Sequence, residues 1–149
     1  MNGKVMCLVR GGEAGRKVQE KAIAYARSNQ KELVFLHVVD ASRVSDEDEL
    51  EELKSAVEDE LIWLAHVTLS MARRRATAQS VSSKIDIITG PFFDTVLNYA
   101  TQPQIEVVFM GSPHSGAPDY DERLKRVKKF AERLQQAANV EVVVVDDQE

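Results

Sequence analysis

Five strand-length apolar runs, each separated from the next by a segment of helical spacing, limit this chain more than any other feature. The runs are Val5-Met6-Cys7-Leu8-Val9, Leu33-Val34-Phe35-Leu36-His37-Val38-Val39, Ile85-Asp86-Ile87-Ile88, Ile105 through Met110, and Val140-Glu141-Val142-Val143-Val144-Val145. Several are apolar on both faces, the pattern of strands covered by helices above and below. Between them, apolar residues recur at helical spacing at Val18, Ala22 and Tyr25, at Leu50, Leu53, Val57, Leu61, Leu64 and Thr68, at Phe93, Val96, Leu97 and Ala100, and at Leu124, Val127, Ala131, Leu134 and Ala138. Strict alternation of strand and helix predicts right-handed βαβ units. The expected fold is therefore α/β, a single open, doubly wound five-stranded parallel sheet with helices on both faces.

With 149 residues and 44% hydrophobic content, the chain can fill one core and hardly two, so residues 1–149 are expected to form one domain. The apolar runs are too short to span a bilayer, and the opening Met1-Asn2-Gly3-Lys4 has no signal-peptide pattern, which predicts a cytoplasmic protein without a membrane partner. Cys7, the single cysteine, lies inside the first apolar run and reads as a buried structural thiol. A net charge of -5 argues against non-specific attraction to nucleic acid. Residues 46–75 predict one long helix with an acidic block at its start and Arg73-Arg74-Arg75 near its end, in the sense of the helix dipole. The basic residues of the last helix, Arg123, Lys125, Arg126, Lys128, Lys129 and Arg133, are interrupted by acids and read as a solvated face.

Chemistry concentrates at two strand exits. The run Val107-Val108-Phe109-Met110-Gly111-Ser112 ends in a Gly-Ser turn, at the end of the sheet where open α/β folds bind ligands, and continues into Pro113-His114-Ser115-Gly116. The helix that follows begins at Asp119-Tyr120-Asp121-Glu122, offering carboxylates where a phosphate requires amides and hydroxyls. At the first strand exit, Arg10-Gly11-Gly12-Glu13-Ala14-Gly15-Arg16-Lys17 combines glycines with basic residues, a combination able to gather an anion at a helix start or to form a solvated turn. The three histidines, His37, His66 and His114, lack metal-ligand spacing. No nucleophile elbow surrounds Ser112 or Ser115, so no catalytic residue is assigned.

Three strings together, Leu36-His37-Val38-Val39, Thr89-Gly90-Pro91-Phe92-Phe93-Asp94-Thr95-Val96-Leu97-Asn98-Tyr99-Ala100 and Val107-Val108-Phe109-Met110-Gly111-Ser112, resemble the universal stress protein family over essentially the whole chain. The resemblance implies strand order 3-2-1-4-5, a dimer, and in ATP-binding members a nucleotide site between the exits of strands one and four. Transferred to this sequence, that site would comprise Arg10, Gly11, Gly12, Val39, Gly111, Ser112, His114 and Ser115. Two departures stand against ATP. Arg10 replaces the aspartate that usually closes strand one, and is expected to cross the mouth of the site, pairing with Asp40 or with a carboxylate of 119–122. The glycine-rich signature that starts at Gly111 meets His114 at its second glycine and Leu124-Lys125 at its closing pair; restarting at Gly116 places that pair on Arg126-Val127. The chain thus resembles the branch that does not bind ATP in the usual way. The expected function is a stress-response or regulatory module with an unidentified protein partner; the alternative is a sensor of ATP, another adenine nucleotide or an anion through a rebuilt phosphate site.

In strand order 3-2-1-4-5 the last strand is an edge, and its valines need cover. A homodimer through Val140-Glu141-Val142-Val143-Val144-Val145 is expected, which proline at Val143 should break.

Overall fold

The computed structural model describes residues 3–9, 14–40, 51–113 and 116–146. The elements alternate as β1 (Lys4–Leu8), α1 (Ala14–Asn29), β2 (Glu32–Val39), α2 (Glu51–Ala78), β3 (Ser83–Thr89), α3 (Phe92–Ala100), β4 (Ile105–Gly111), α4 (Tyr120–Ala138) and β5 (Glu141–Val145). The strands form one parallel sheet in the order β3-β2-β1-β4-β5. Both the fold class and the strand order follow the sequence expectation. The acidic residues expected to open the long helix at 46–49 lie outside the described residues.

Right-handed crossovers place α1 and α2 on one face of the sheet and α3 and α4 on the other. Strand side chains alternate between the two faces, so each face receives its own core. Val5, Cys7, Leu33, Phe35, Val107 and Phe109 pack under α1 and α2. Met6, Leu8, Val34, Leu36, Val108 and Met110 pack under α3 and α4. Cys7 is fully enclosed, and burial pushes its thiol pKa up, so it stays protonated and unreactive. On the second face Tyr99 donates its hydroxyl hydrogen to Asp86 Oδ2 at 2.7 Å, and burial, followed by that carboxylate, raises the phenol's pKa. Helix α4 closes at Asn139, whose amide still donates to the Gln135 carbonyl at 3.0 Å and whose left-handed φ of 56° then turns the chain out of the helix toward β5.

One helical stripe differs from expectation. Leu61 and Leu64 are exposed rather than buried, and α2 meets the sheet through Ala65, Leu69, Ala72 and Ala76 instead. This helix is apolar on two faces, and periodicity alone favours the larger side chains. The alanines win because small residues let a helix axis approach the sheet closely, around the single large anchor Leu69.

Strand β5 is an edge strand, as expected, but its amides point otherwise than the sequence suggests. The Val145 carbonyl accepts the Ser112 N–H at 3.0 Å, so Val145, and by alternation Val143, face β4. Val142 and Val144 face outward, and the Val142 amide donates to Gln135 Oε1 at 3.1 Å. Proline at Val143 would therefore break the β4 ladder, not an outward contact.

Candidate functional site

The chain runs from β1 to β2 in one direction and later from β4 to β5 in the other, so the exits of β1 and β4 flank the point where strand order reverses. The flanking connections leave on opposite faces of the sheet, the arrangement at which open α/β folds place their ligands. Of the residues assigned to this site from the sequence, Val39, Gly111 and Ser112 are described. Arg10, Gly11, Gly12, His114 and Ser115 lie outside the described residues, and the blocking role expected of Arg10 lies there with them.

Gly111 is a packing device. A Cβ at this position would lie 2.9 Å from Val18 Cγ2, so the missing side chain is what allows α1 to sit against the end of β4. Val18 is β-branched and buried, with little room to turn away. Gly111→Val is expected to lower stability by about 3 kcal/mol through overpacking. Urea denaturation checks this; a loss below about 1 kcal/mol would mean that the α1 contact yields freely.

Ser112 is buried, and both of its donors already have protein acceptors. Its amide extends the β4–β5 ladder to Val145, and its hydroxyl is turned toward the Pro113 carbonyl at 3.4 Å, a long contact. Val39 ends β2 in the core, where its carbonyl accepts the Gly90 amide at 3.0 Å. Next to it, Asp40 Oδ2 accepts the Phe92 amide at 3.1 Å and so caps the start of α3 from another strand. His37 Nδ1 lies 2.7 Å from the Val9 carbonyl; a carbonyl can only accept, so this nitrogen carries the proton and ties β2 to the β1 exit. The histidine is thereby structural, in line with its position on a strand.

The start of α4 has the character the sequence predicts. Asp119 precedes it at φ 58° with no side-chain cap, and Asp121 and Glu122 occupy the first turn. Carboxylates there suit the helix dipole and repel a phosphate.

Basic residues near the two exits divide between two surfaces. Arg16 faces the groove between α1 and α2, with Glu20, Arg27 and Arg75. That groove is braced by hydrogen bonds from Arg75 to Gln19 at 2.7 Å and from Arg27 to Gln79 at 2.9 Å. Arg123 and Arg126 are exposed, as expected of a solvated face, with Arg126 3.9 Å from Glu122, and they also rim a cavity of about 500 Å³ beside Pro113, floored by Phe92, Met110, Val127 and Phe130. Its aromatic wall is ordered by ring contacts: Phe130 lies 5.3 Å from both Phe92 and Phe93. Arg123, Val127 and Phe130 recur at helical spacing, a signal readable in the sequence once Phe92 is placed opposite them. A cavity with an apolar floor and two guanidinium groups at its rim suits a flat ring that carries an anionic group.

Among the described residues no three His, Cys, Asp or Glu side chains gather to hold a metal ion, and no helix is long and apolar enough to cross a membrane.

The sequence profile of the Universal stress protein family matches residues 1–146. This chain belongs to the universal stress protein family. Its fold is similar to that of the universal stress protein UspA from Lactobacillus plantarum, with 20% identity and a TM-score of 0.80 over 96% of this chain and 97% of that one. It is also similar to a universal stress protein in complex with cAMP, at 13% identity and a TM-score of 0.67 over 96% of each chain. A third similar structure is the universal stress protein from Archaeoglobus fulgidus in complex with dAMP, at 16% identity and a TM-score of 0.60 over 97% of each chain. Comparison with curated protein sequences found no match. Family membership and fold together support a stress-response module.

Proposed function

We propose that this universal stress protein is a cytoplasmic regulatory module that acts as a dimer and does not hydrolyse ATP. The observation that carries this reading is the chemistry at the β4 exit. Ser112, the hydroxyl residue of the Gly-Ser turn, spends its amide on Val145 and its hydroxyl on Pro113. The helix beyond begins with Asp121 and Glu122 rather than with a glycine and a hydroxyl residue. A triphosphate brought there would meet the carboxylates of Asp121 and Glu122, whose like charge offsets what the start of the helix offers an anion.

A second reading has its own support. The cavity rimmed by Arg123 and Arg126 supplies two cations within reach of an aromatic floor, which suits a nucleotide with one phosphate better than one with three. The relatives in complex with cAMP and dAMP carry ligands of that charge class. In this reading the protein senses an adenine nucleotide and signals by a change in its surface.

Calorimetric titration with ATP, cAMP and dAMP separates the readings. The regulatory-module reading expects no heat of binding at micromolar ligand for any of the three. Micromolar cAMP or dAMP binding that disappears in Arg123→Ala/Arg126→Ala establishes the sensor, and micromolar ATP binding overturns the first reading together with the preference for a single phosphate.

A further inference from the structure

Helix α2 turns large apolar side chains toward solvent. Trp63 is 63% exposed, Leu64 50%, Met71 49%, Val67 42% and Leu61 39%. Trp63, Leu64, Val67 and Met71 lie opposite the Ala65, Leu69, Ala72 and Ala76 stripe that seats the helix on the sheet, so that packing makes no use of them, while Leu61 stands beside the stripe. Their order is regular. Val57, Leu64 and Met71 recur every seven residues, and Glu60, Val67 and Arg74 do the same three residues later. Together they make the alternating three- and four-residue spacing of a helix-pairing seam, apolar at its centre, acidic at one end and basic at the other.

The charge at the ends selects the occupant. Glu60 and Arg74 are both exposed and, at 1.5 Å per residue, stand about 21 Å apart along the helix. Turning a second copy by a two-fold axis near Val67 lays the helices antiparallel, sets Leu64 against Val67 of the partner subunit, and brings Glu60 within one turn of Arg74 of the partner subunit. The same contact then forms twice, once at each end. A parallel pairing would instead set acid against acid and base against base. We propose that α2 is a self-recognition surface, pairing antiparallel with α2 of a second copy of this chain along Leu64, Val67 and Met71. Such an interface is isologous, and it lies over β2 and β3, at the opposite edge of the sheet from β5. It is therefore independent of any contact through β5, and a molecule using both would carry two distinct two-fold interfaces.

Sedimentation equilibrium of the full chain tests this with three variants: Leu64→Glu, Arg74→Glu and Arg74→Glu/Glu60→Arg. All alter exposed positions, and far-ultraviolet circular dichroism checks that each stays folded. Leu64→Glu is expected to halve the mass of the largest species. Arg74→Glu should weaken association about tenfold by opposing like charges, and the double reversal should restore it. Equal masses for wild type and Leu64→Glu would overturn the proposal. Failure of the double reversal to recover association would overturn the antiparallel register. Because β5 lies at the other edge, failure of pairing through β5 leaves the response to Leu64→Glu unchanged, so the two ideas are separable.

Discussion

Leu69→Ala is expected to lower stability by about 3 kcal/mol, whereas Leu64→Ala, on the same helix, should cost less than about 0.5 kcal/mol in dilute solution. Leu69 is wholly enclosed between α2 and the sheet, and the alanines on either side leave no side chain able to fill the space it would vacate. The loss thus includes the apolar transfer of the removed atoms and the cavity left behind. Leu64 is half exposed on the opposite face and gives up little in an isolated subunit. A loss of about 3 kcal/mol is a large fraction of the 5–15 kcal/mol that stabilises a typical domain, so the contrast should be plain in urea denaturation. If both substitutions destabilise equally, α2 is rotated relative to the sheet and its outer stripe is core.

Val144→Pro is expected to abolish pairing through β5, while Val143→Pro should weaken the subunit itself. The two residues are neighbours in sequence but point opposite ways. Val143 faces β4, where proline would delete a ladder hydrogen bond inside the sheet. Val144 presents its amide outward at the edge, a position where proline is tolerated by the monomer and prevents addition of another strand. A two-fold pairing of β5 must also displace Gln135 from the Val142 amide, so its gain is smaller than that of a bare edge. Sedimentation and thermal melting together report the outcome: half the mass with a nearly unchanged melt for Val144→Pro, and a lowered melt for Val143→Pro. Retention of the wild-type mass by Val144→Pro would remove β5 from the assembly.

Much of this molecule is readable from the order of its residues alone, because strand and helix have different periods and their strict alternation admits few topologies. The five strands and the acidic start of α4 follow from such local signals, whereas the edge position of β5 came with the strand order that the family resemblance implies. The closeness required at Gly111 is not local: the sequence shows a Gly-Ser turn, and only the packing of α1 against β4 shows that Val18 leaves no room for a side chain there. What periodicity leaves open is which side of a doubly apolar helix faces inward. On α2 the choice fell to Ala65, Leu69, Ala72 and Ala76, since the distance between helix and sheet, a tertiary quantity, rewards small residues over large ones. The direction of each amide in β5 was likewise settled by register with β4, which no single strand contains. The candidate site divides in the same way. Its location at the exits of β1 and β4 follows from topology, but the meeting of Arg123 and Arg126 with Phe92 joins elements distant in sequence, and only the packing of α3 against α4 brings them to one cavity.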